Sequence, residues 1–198
     1  MRLCETFYSV QGEGLLQGVP SFFVRLAGCN QRCAWCDTPY AREAADGHEV
    51  GIDRIVSLAR QASVARHCVL TGGEPLLAPE LPELARILRR AGYHVTIETN
   101  ATLPPNGVEC DLVSLSPKLR HAGPERLPVA PADLFPWLDR YECQIKLVCA
   151  GREDEDEILS WVSGVRGRLL PDRILLMPLS DAGGVTPAAR RAEVVELC

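Results

Sequence analysis

The sequence predicts an α/β fold built on a mostly parallel sheet, and three observations carry that reading. Strand-like and helix-like stretches alternate about six times along the 198 residues, with no repeat, low-complexity segment or linker between them. The strand-like runs are short and near-continuously apolar, as strands buried on both faces of a parallel sheet are. Polar and glycine-rich clusters recur where those runs end: Cys29 to Thr38, Thr71 to Pro75, Thr99 to Asn100 and Ser116 to Lys118. That edge is where parallel α/β folds place their active sites.

Taken in order, residues 3–10 lead into Gln11-Gly12-Glu13-Gly14. Two glycines around a carboxylate form a surface turn by default, though one where backbone can approach a ligand closely. Residues 20–27 read as a buried strand with Arg25 inside it. A buried arginine requires a partner, either a structural carboxylate or an anionic ligand. Asp53 is expected to cap a helix whose apolar positions are Ile55, Leu58, Ala59 and Ala62. A strand at His67–Leu70 runs into Thr71-Gly72-Gly73-Glu74-Pro75, and a helix from Glu80 to Ala91 carries Leu81, Leu84, Ala85 and Leu88 before Gly92 stops it.

Strands follow at His94–Glu98 and Asp111–Leu115, then a proline-rich connection and a strand at Cys143–Val148. The run Glu153-Asp154-Glu155-Asp156-Glu157 suits the positive end of a helix dipole and reads as a solvated helix start, not as a metal site. The last strand is expected at Arg173–Leu179. Thr186 and Pro187 read as N-cap and first residue of a helix that extends to Cys198.

With 46% hydrophobic and 24% charged residues the chain has ordinary globular composition, and residues 1–198 are expected to form one domain. A net charge of −5 argues against a nucleic-acid footprint. With neither a basic leader nor an 18-residue apolar stretch, the expectation is a cytoplasmic protein without a membrane partner. Nine cysteines without a secretory signal point to metal binding plus buried free thiols, with Cys68, Cys143 and Cys149 in the core. The chain has 19 arginines but only two lysines, Lys118 and Lys146, both at strand ends where a compact ammonium is called for.

The most informative stretch is Gly28-Cys29-Asn30-Gln31-Arg32-Cys33-Ala34-Trp35-Cys36-Asp37-Thr38, which spaces three thiols as C-x3-C-x2-C. Thiolates favour zinc, copper(I) and iron–sulfur clusters. A structural zinc site takes four ligands, and so does a cluster that only transfers electrons. Three thiolates on a four-iron cluster leave one iron open for chemistry. Two other readings stand beside this one. Positions 29, 33 and 36 could form an apolar helix stripe, although Gly28, Pro39 and the polar residues between favour a loop. Alternatively, Cys4 could complete a zinc module.

The C-x3-C-x2-C loop followed by Gly72-Gly73-Glu74-Pro75 resembles the radical S-adenosylmethionine (SAM) superfamily. Within it the chain resembles the 7-carboxy-7-deazaguanine synthases, through Gln11-Gly12-Glu13-Gly14, Phe23 to Asn30, Cys36-Asp37-Thr38, Glu98-Thr99-Asn100 and Ser116-Pro117-Lys118. The resemblance covers residue 5 to about residue 180. It implies an incomplete (β/α)6-type partial TIM barrel.

It also implies that Cys29, Cys33 and Cys36 ligate a 4Fe-4S cluster whose fourth iron is chelated by the amino and carboxylate groups of SAM. Gly73 and Glu74 would hold the SAM amino end. Ser116, Pro117 and Lys118, with Met177, Pro178, Leu179 and Ser180, would line the remainder. Reductive cleavage of SAM would yield a 5′-deoxyadenosyl radical that takes a hydrogen from 6-carboxy-5,6,7,8-tetrahydropterin, whose ring contracts with loss of ammonia. Arg25 would pair with the pterin carboxylate, Val10, Gln11, Gly12 and Glu13 would read the pterin edge, and Thr71 would touch substrate. Thr38 would bind Mg2+ with Asp37 nearby. Lys146 receives no role.

The same likeness implies a flavodoxin or ferredoxin reductant and a homodimer. Members usually continue past the point where this chain stops, so a C-terminal segment of the family is expected to be missing. Ala101 stands where glycine often follows asparagine. The competing enzyme class is a radical SAM activase of a glycyl-radical enzyme.

Overall fold

The structure is a computed structural model that describes residues 1–62, 64–181 and 184–198. Eight strands form one sheet: β1 (Arg2–Val10), β2 (Pro20–Leu26), β3 (His48–Glu49), β4 (His67–Gly72), β5 (His94–Thr99), β6 (Leu112–Leu115), β7 (Cys143–Cys149) and β8 (Ile174–Pro178). Their order is β3-β1-β2-β4-β5-β6-β7-β8. The six strands from β2 to β8 are parallel, as a (β/α)6-type partial barrel requires. β1 lies beside β2 and runs antiparallel to it, and the two-residue β3 pairs antiparallel with β1 at the sheet's edge. Apolar content cannot distinguish these two directions, because strand direction is set by the length of the connection. The nine residues between β1 and β2 make a hairpin, whereas parallel neighbours need a crossover.

The helices are α1 (Ile52–Gln61), α2 (Leu81–Arg90), the single-turn α3 (Phe135–Leu138), α4 (Glu155–Gly164) and α5 (Ala188–Leu197). Strand and helix alternate less regularly than expected, since residues 100–111 cross from β5 to β6 without a helix. Among the described residues no helix is long and apolar enough to cross a membrane.

Three helix starts differ from expectation. Gly51, not Asp53, caps α1, and Asp53 sits in the first turn, where its charge suits the dipole. Thr186 shares a hydrogen bond with Ser180 at 2.9 Å, so α5 starts after Pro187 without a side-chain cap. The acidic run is not simply solvated either. Asp154 is buried, accepts the Ala150 amide at 2.6 Å and holds His121 Nδ1 at 3.0 Å. Its carboxylate ties β7, α4 and the loop after β6 together.

Side-chain parity explains how one sheet serves both core and site. Alternate residues of a strand face opposite sides. Phe22, Val24, Leu26, Leu70, Val95, Ile97, Leu115, Ile145 and Leu147 pack with Ile55 of α1 and Leu81, Leu84 and Leu88 of α2 in one hydrophobic core. Residues of the other parity, Arg25, Thr71, Glu98, Ser114 and Lys146, line a cavity inside the curl of the sheet, and Gln144, of the same parity, is buried beside it and donates to Ser114 Oγ at 2.8 Å. The parallel register pairs Arg25 with Thr71, Glu98 with Ser114, and Ser114 with Gln144, a continuous polar row.

At the opposite edge, Asp111 Oδ2 accepts the Val95 amide at 2.8 Å and Oδ1 accepts Arg89 Nη2 at 2.9 Å. Burial works to raise its pKa, but the amide and the guanidinium outweigh it and hold the carboxyl below the usual range. A depressed carboxylate pKa stabilises the fold above the unfolded value of about 3.9, and that contribution is lost as pH falls through the folded value. Asp111→Ala is expected to cost about 1–3 kcal/mol near neutral pH, a fall of roughly 3–10 °C in Tm. Thermal unfolding at a series of pH values checks this: the gap from wild type should close in acid, and a pH-independent gap would refute the assignment.

Candidate active site

The cysteine segment leaves β2 as an irregular loop, so Cys29, Cys33 and Cys36 are not a helix stripe. The loop is laced to its surroundings through its backbone. Gly28 N donates to Ala41 O at 2.9 Å, Cys29 N to Arg42 O at 2.8 Å and Ala34 N to Ala122 O at 2.8 Å. The Gln31 amide bonds both backbone groups of Leu127, at 2.7 and 3.1 Å. Trp35 stacks on His121 with ring centroids 5.5 Å apart, and Lys118 Nζ lies 5.6 Å from the Trp35 ring. All three thiols are free and line the same cavity, of about 320 Å³. Burial pushes the Cys29 and Cys33 thiols above the usual range, while the Lys118 ammonium works the other way on both. Lys118 is itself held below its ordinary value, first by burial and then by the charge of Lys146.

Most of the residues singled out in the sequence meet here. Gln11, Gly12, Glu13, Arg25, Thr38, Thr71, Gly73, Ser116 and Lys118 share the cavity with the three cysteines. Arg25 is part-buried, not fully buried as expected; its Nε donates to Glu5 Oε1 at 2.8 Å and its guanidinium lies over Phe7, so the cation does have a structural carboxylate. Thr38 Oγ1 donates to Asp37 Oδ1 at 3.3 Å and stands 3.9 Å from Cys36 Sγ. Lys118 Nζ donates to Ser116 Oγ at 3.0 Å.

Seven expected site residues lie elsewhere. Val10 is an exposed strand end outside the cavity wall. Pro117 is buried behind that wall, Met177, Pro178 and Leu179 are half-buried along and just past β8, and Ser180 is exposed. Glu74 is buried, with its carboxylate engaged by protein: Oε1 accepts Thr99 Oγ1 at 2.8 Å and Leu76 N at 3.1 Å, and Oε2 accepts Asn100 N at 2.7 Å. Burial raises its pKa against those bonds. Its side chain therefore fastens the end of β4 to the end of β5, and Gly73 is the part of the turn that faces the cavity. Next to this rivet Ala101 has φ +63°, the left-handed region where glycine avoids a cost of about 1–2 kcal/mol.

Sequence reasoning gave Glu98 no role and passed over Gln144. Strand parity relative to Arg25 and Thr71 was the signal that could have found both. Their importance comes from residues 11–16, which leave β1 and cross the mouth of the sheet to β7. Gln11 Nε2 donates to Glu98 Oε1 at 2.9 Å, Glu13 pairs with Lys146, and Leu15 N donates to Gln144 Oε1 at 2.9 Å. The glycine-rich turn is thus a strap that closes the cavity on one side.

The donor set fits a 4Fe-4S cluster better than a single ion. The cavity wall holds three cysteines, and Cys4 lies outside it, its Sγ directed 3.8 Å from Tyr40 O. Thiolates on one tetrahedral zinc stand about 3.8 Å apart, given zinc–sulfur bonds of about 2.3 Å. Among the described residues no three His, Cys, Asp or Glu groups are gathered closely enough for one ion. A four-iron cubane spaces its thiolates more widely.

The profile of the Radical SAM superfamily matches residues 23–132. A 7-carboxy-7-deazaguanine synthase of Halobacterium salinarum is 36% identical in an alignment that covers 98% of this chain and 82% of that protein. The chain belongs to the 7-carboxy-7-deazaguanine synthase family of the radical SAM superfamily. A 7-carboxy-7-deazaguanine synthase of Rhodopirellula baltica is 51% identical over 123 residues, 62% of this chain and 47% of that protein, so this match spans about half of the relative's length. Among solved structures, QueE from Escherichia coli superposes with a TM-score of 0.72 at 30% identity, covering 100% of this chain and 88% of that one. As radical SAM enzymes, members of the 7-carboxy-7-deazaguanine synthase family use a 4Fe-4S cluster and SAM, and the glycyl-radical activase reading is not favoured.

Proposed function

We propose that the chain converts 6-carboxy-5,6,7,8-tetrahydropterin to 7-carboxy-7-deazaguanine with loss of ammonia, a step of 7-deazapurine and queuosine biosynthesis. The observation that carries this reading is that one cavity contains both the cysteine trio and Arg25. Cys29, Cys33 and Cys36 would hold three irons, leaving the fourth for the amino and carboxylate groups of SAM. Bound there, cluster and SAM supply the radical that removes a substrate hydrogen.

The chain's own residues bind and orient. The Arg25 Nε is taken by Glu5, and its two Nη groups make no hydrogen bond among the described residues, so they can fork onto a substrate carboxylate. Gln11, Gly12 and Glu13 would read the pterin edge from the strap, and Thr71 would contact the ring beside Arg25. Gly73, Ser116 and Lys118 would face SAM. Thr38, with Asp37, would bind one Mg2+, which needs few protein oxygens when substrate and water supply the rest. The reading extends to a flavodoxin or ferredoxin as reductant, a single domain, a homodimer and a cytoplasmic setting.

The test is anaerobic incubation of cluster-reconstituted protein with SAM, dithionite, magnesium and the tetrahydropterin, followed by mass spectrometry. The expected products are 5′-deoxyadenosine and 7-carboxy-7-deazaguanine, with yield rising as magnesium is added. Arg25→Ala should retain SAM cleavage but lose the deazaguanine by more than about 100-fold, since it strands a charge-assisted pair. Wild-type turnover in that variant would exclude Arg25 as the carboxylate ligand. SAM cleavage by the native protein without the deazaguanine would overturn the substrate.

A further inference from the structure

The chain's two lysines both face the cavity, and the proposed reaction leaves Lys146 without a task. Lys146 projects from β7 on the cavity-facing parity, with its side chain only 14% exposed. Its ammonium pairs with Glu13 Oε2 of the strap. Glu98, held by Gln11 at 2.9 Å, adds a second nearby negative charge. Burial alone would lower the pKa of Lys146, but Glu98 and Glu13 together raise it, so the group is a permanent cation.

An ion pair that only fastened the strap would satisfy itself. This one does not. An ammonium has three N–H donors, and among the described residues Glu13 is the single hydrogen-bonding partner of Lys146. Glu13 in turn engages one oxygen, and its side chain is 37% exposed toward a cavity it helps to line. The pair therefore presents a donor and an acceptor side by side. That pattern complements the edge of a 2-amino-4-oxopyrimidine, which carries N–H donors at N3 and the 2-amino group and an acceptor at O4.

We propose that Lys146 is a specificity residue that donates to the O4 acceptor of the substrate's pyrimidine ring, while Glu13 accepts from the neighbouring N–H groups. This rests on the pterin reading above and adds a discrimination that a carboxylate alone does not make. A 4-amino analogue turns donors toward the ammonium, which has no lone pair to receive them, and a site built for one hydrogen-bonding pattern rejects its reverse.

The test is calorimetric binding of two stable ligands, 6-carboxypterin and 2,4-diamino-6-carboxypteridine, to cluster-reconstituted protein with SAM. Wild type is expected to bind the 4-oxo ligand at least about tenfold more tightly than the diamino ligand. Lys146→Met should weaken the 4-oxo ligand about tenfold or more and leave the diamino ligand unchanged or tighter, so that the preference collapses. The double variant Glu13→Gln/Lys146→Met, which leaves no unpaired carboxylate at position 13 while Glu98 keeps its bond from Gln11, is expected to lose the same preference and serves if the single variant does not fold. Equal weakening of both ligands, or an unchanged preference in either variant, would reduce Lys146 to a fastener of the strap and overturn the proposal. Should wild type bind neither ligand, the pterin reading itself falls. Tight wild-type binding without a preference removes only Lys146.

Discussion

Replacing Cys33 with serine is expected to abolish cluster assembly and reduce turnover below detection, while the fold stays intact. Cys33 is buried in the cavity wall, and its carbonyl accepts the Cys36 amide at 3.3 Å. Serine keeps the size of the side chain and the backbone bond but replaces a soft sulfur with a hard hydroxyl that is not ionised at neutral pH. The thiolate count falls from three to two, and among the described residues no other cysteine lines the cavity to compensate. Two measurements separate this from a folding defect. Iron and sulfide content after anaerobic reconstitution should drop to background, whereas thermal unfolding of the metal-free protein should stay within about 1–2 kcal/mol of wild type, because the new hydroxyl faces the cavity and is not sealed in the apolar core. A Cys33→Ser protein that retained a full cluster and formed product would remove the trio from the mechanism.

The second large effect belongs to Gly73→Ala. A methyl group at this position would fall deep inside van der Waals contact of Gly28 O, and within 2.7 Å of both Ala41 O and Cys29 Cβ. Two of these are backbone atoms, and that backbone is laced tightly. Gly73 N donates to Leu26 O at 3.1 Å and Glu74 N to Gly28 O at 2.8 Å. The methyl can be accommodated only if the turn after β4 moves away from the cysteine loop. The expected cost is about 3 kcal/mol, at the upper end of overpacking, or roughly 6–12 °C in Tm for a chain of this size. Iron retention should fall in parallel, since Cys29 is among the atoms displaced. Gly12→Ala is the control, because nothing lies within 4 Å of a Cβ built there. Equal Tm values for the two variants would show that the turn and loop are not in fixed contact.

The cysteine spacing was legible because ligand number and softness are properties of residue type, independent of where the chain goes. Strand ends were legible for a related reason: glycine, proline and polar clusters interrupt apolar runs wherever backbone must turn. Glu74 shows the limit. A carboxylate in a glycine-rich turn reads as a ligand contact, yet the Asn100 amide and the Thr99 hydroxyl at the end of β5 take both of its oxygens. Asp154 errs in the opposite direction, since a charge that suits a helix start proves to be a buried clamp on His121. In both cases a neighbour distant in sequence decides whether the carboxylate faces solvent, ligand or protein.

The sequence by itself determined the alternating α/β architecture, the cavity-bound thiols and the presence of a charge at Arg25 inside an apolar strand. These follow from local periodicity and side-chain chemistry. Tertiary structure alone decided that β1 runs antiparallel, that one parity of five strands, β2 and β4 to β7, turns a polar row inward, and that residues 11–16 reach across the sheet to β7. The pairing of Glu13 with Lys146 joins positions 133 residues apart. No local signal encodes such a contact, because it exists only once the strands have curled far enough to bring the first connection of the chain over the seventh strand.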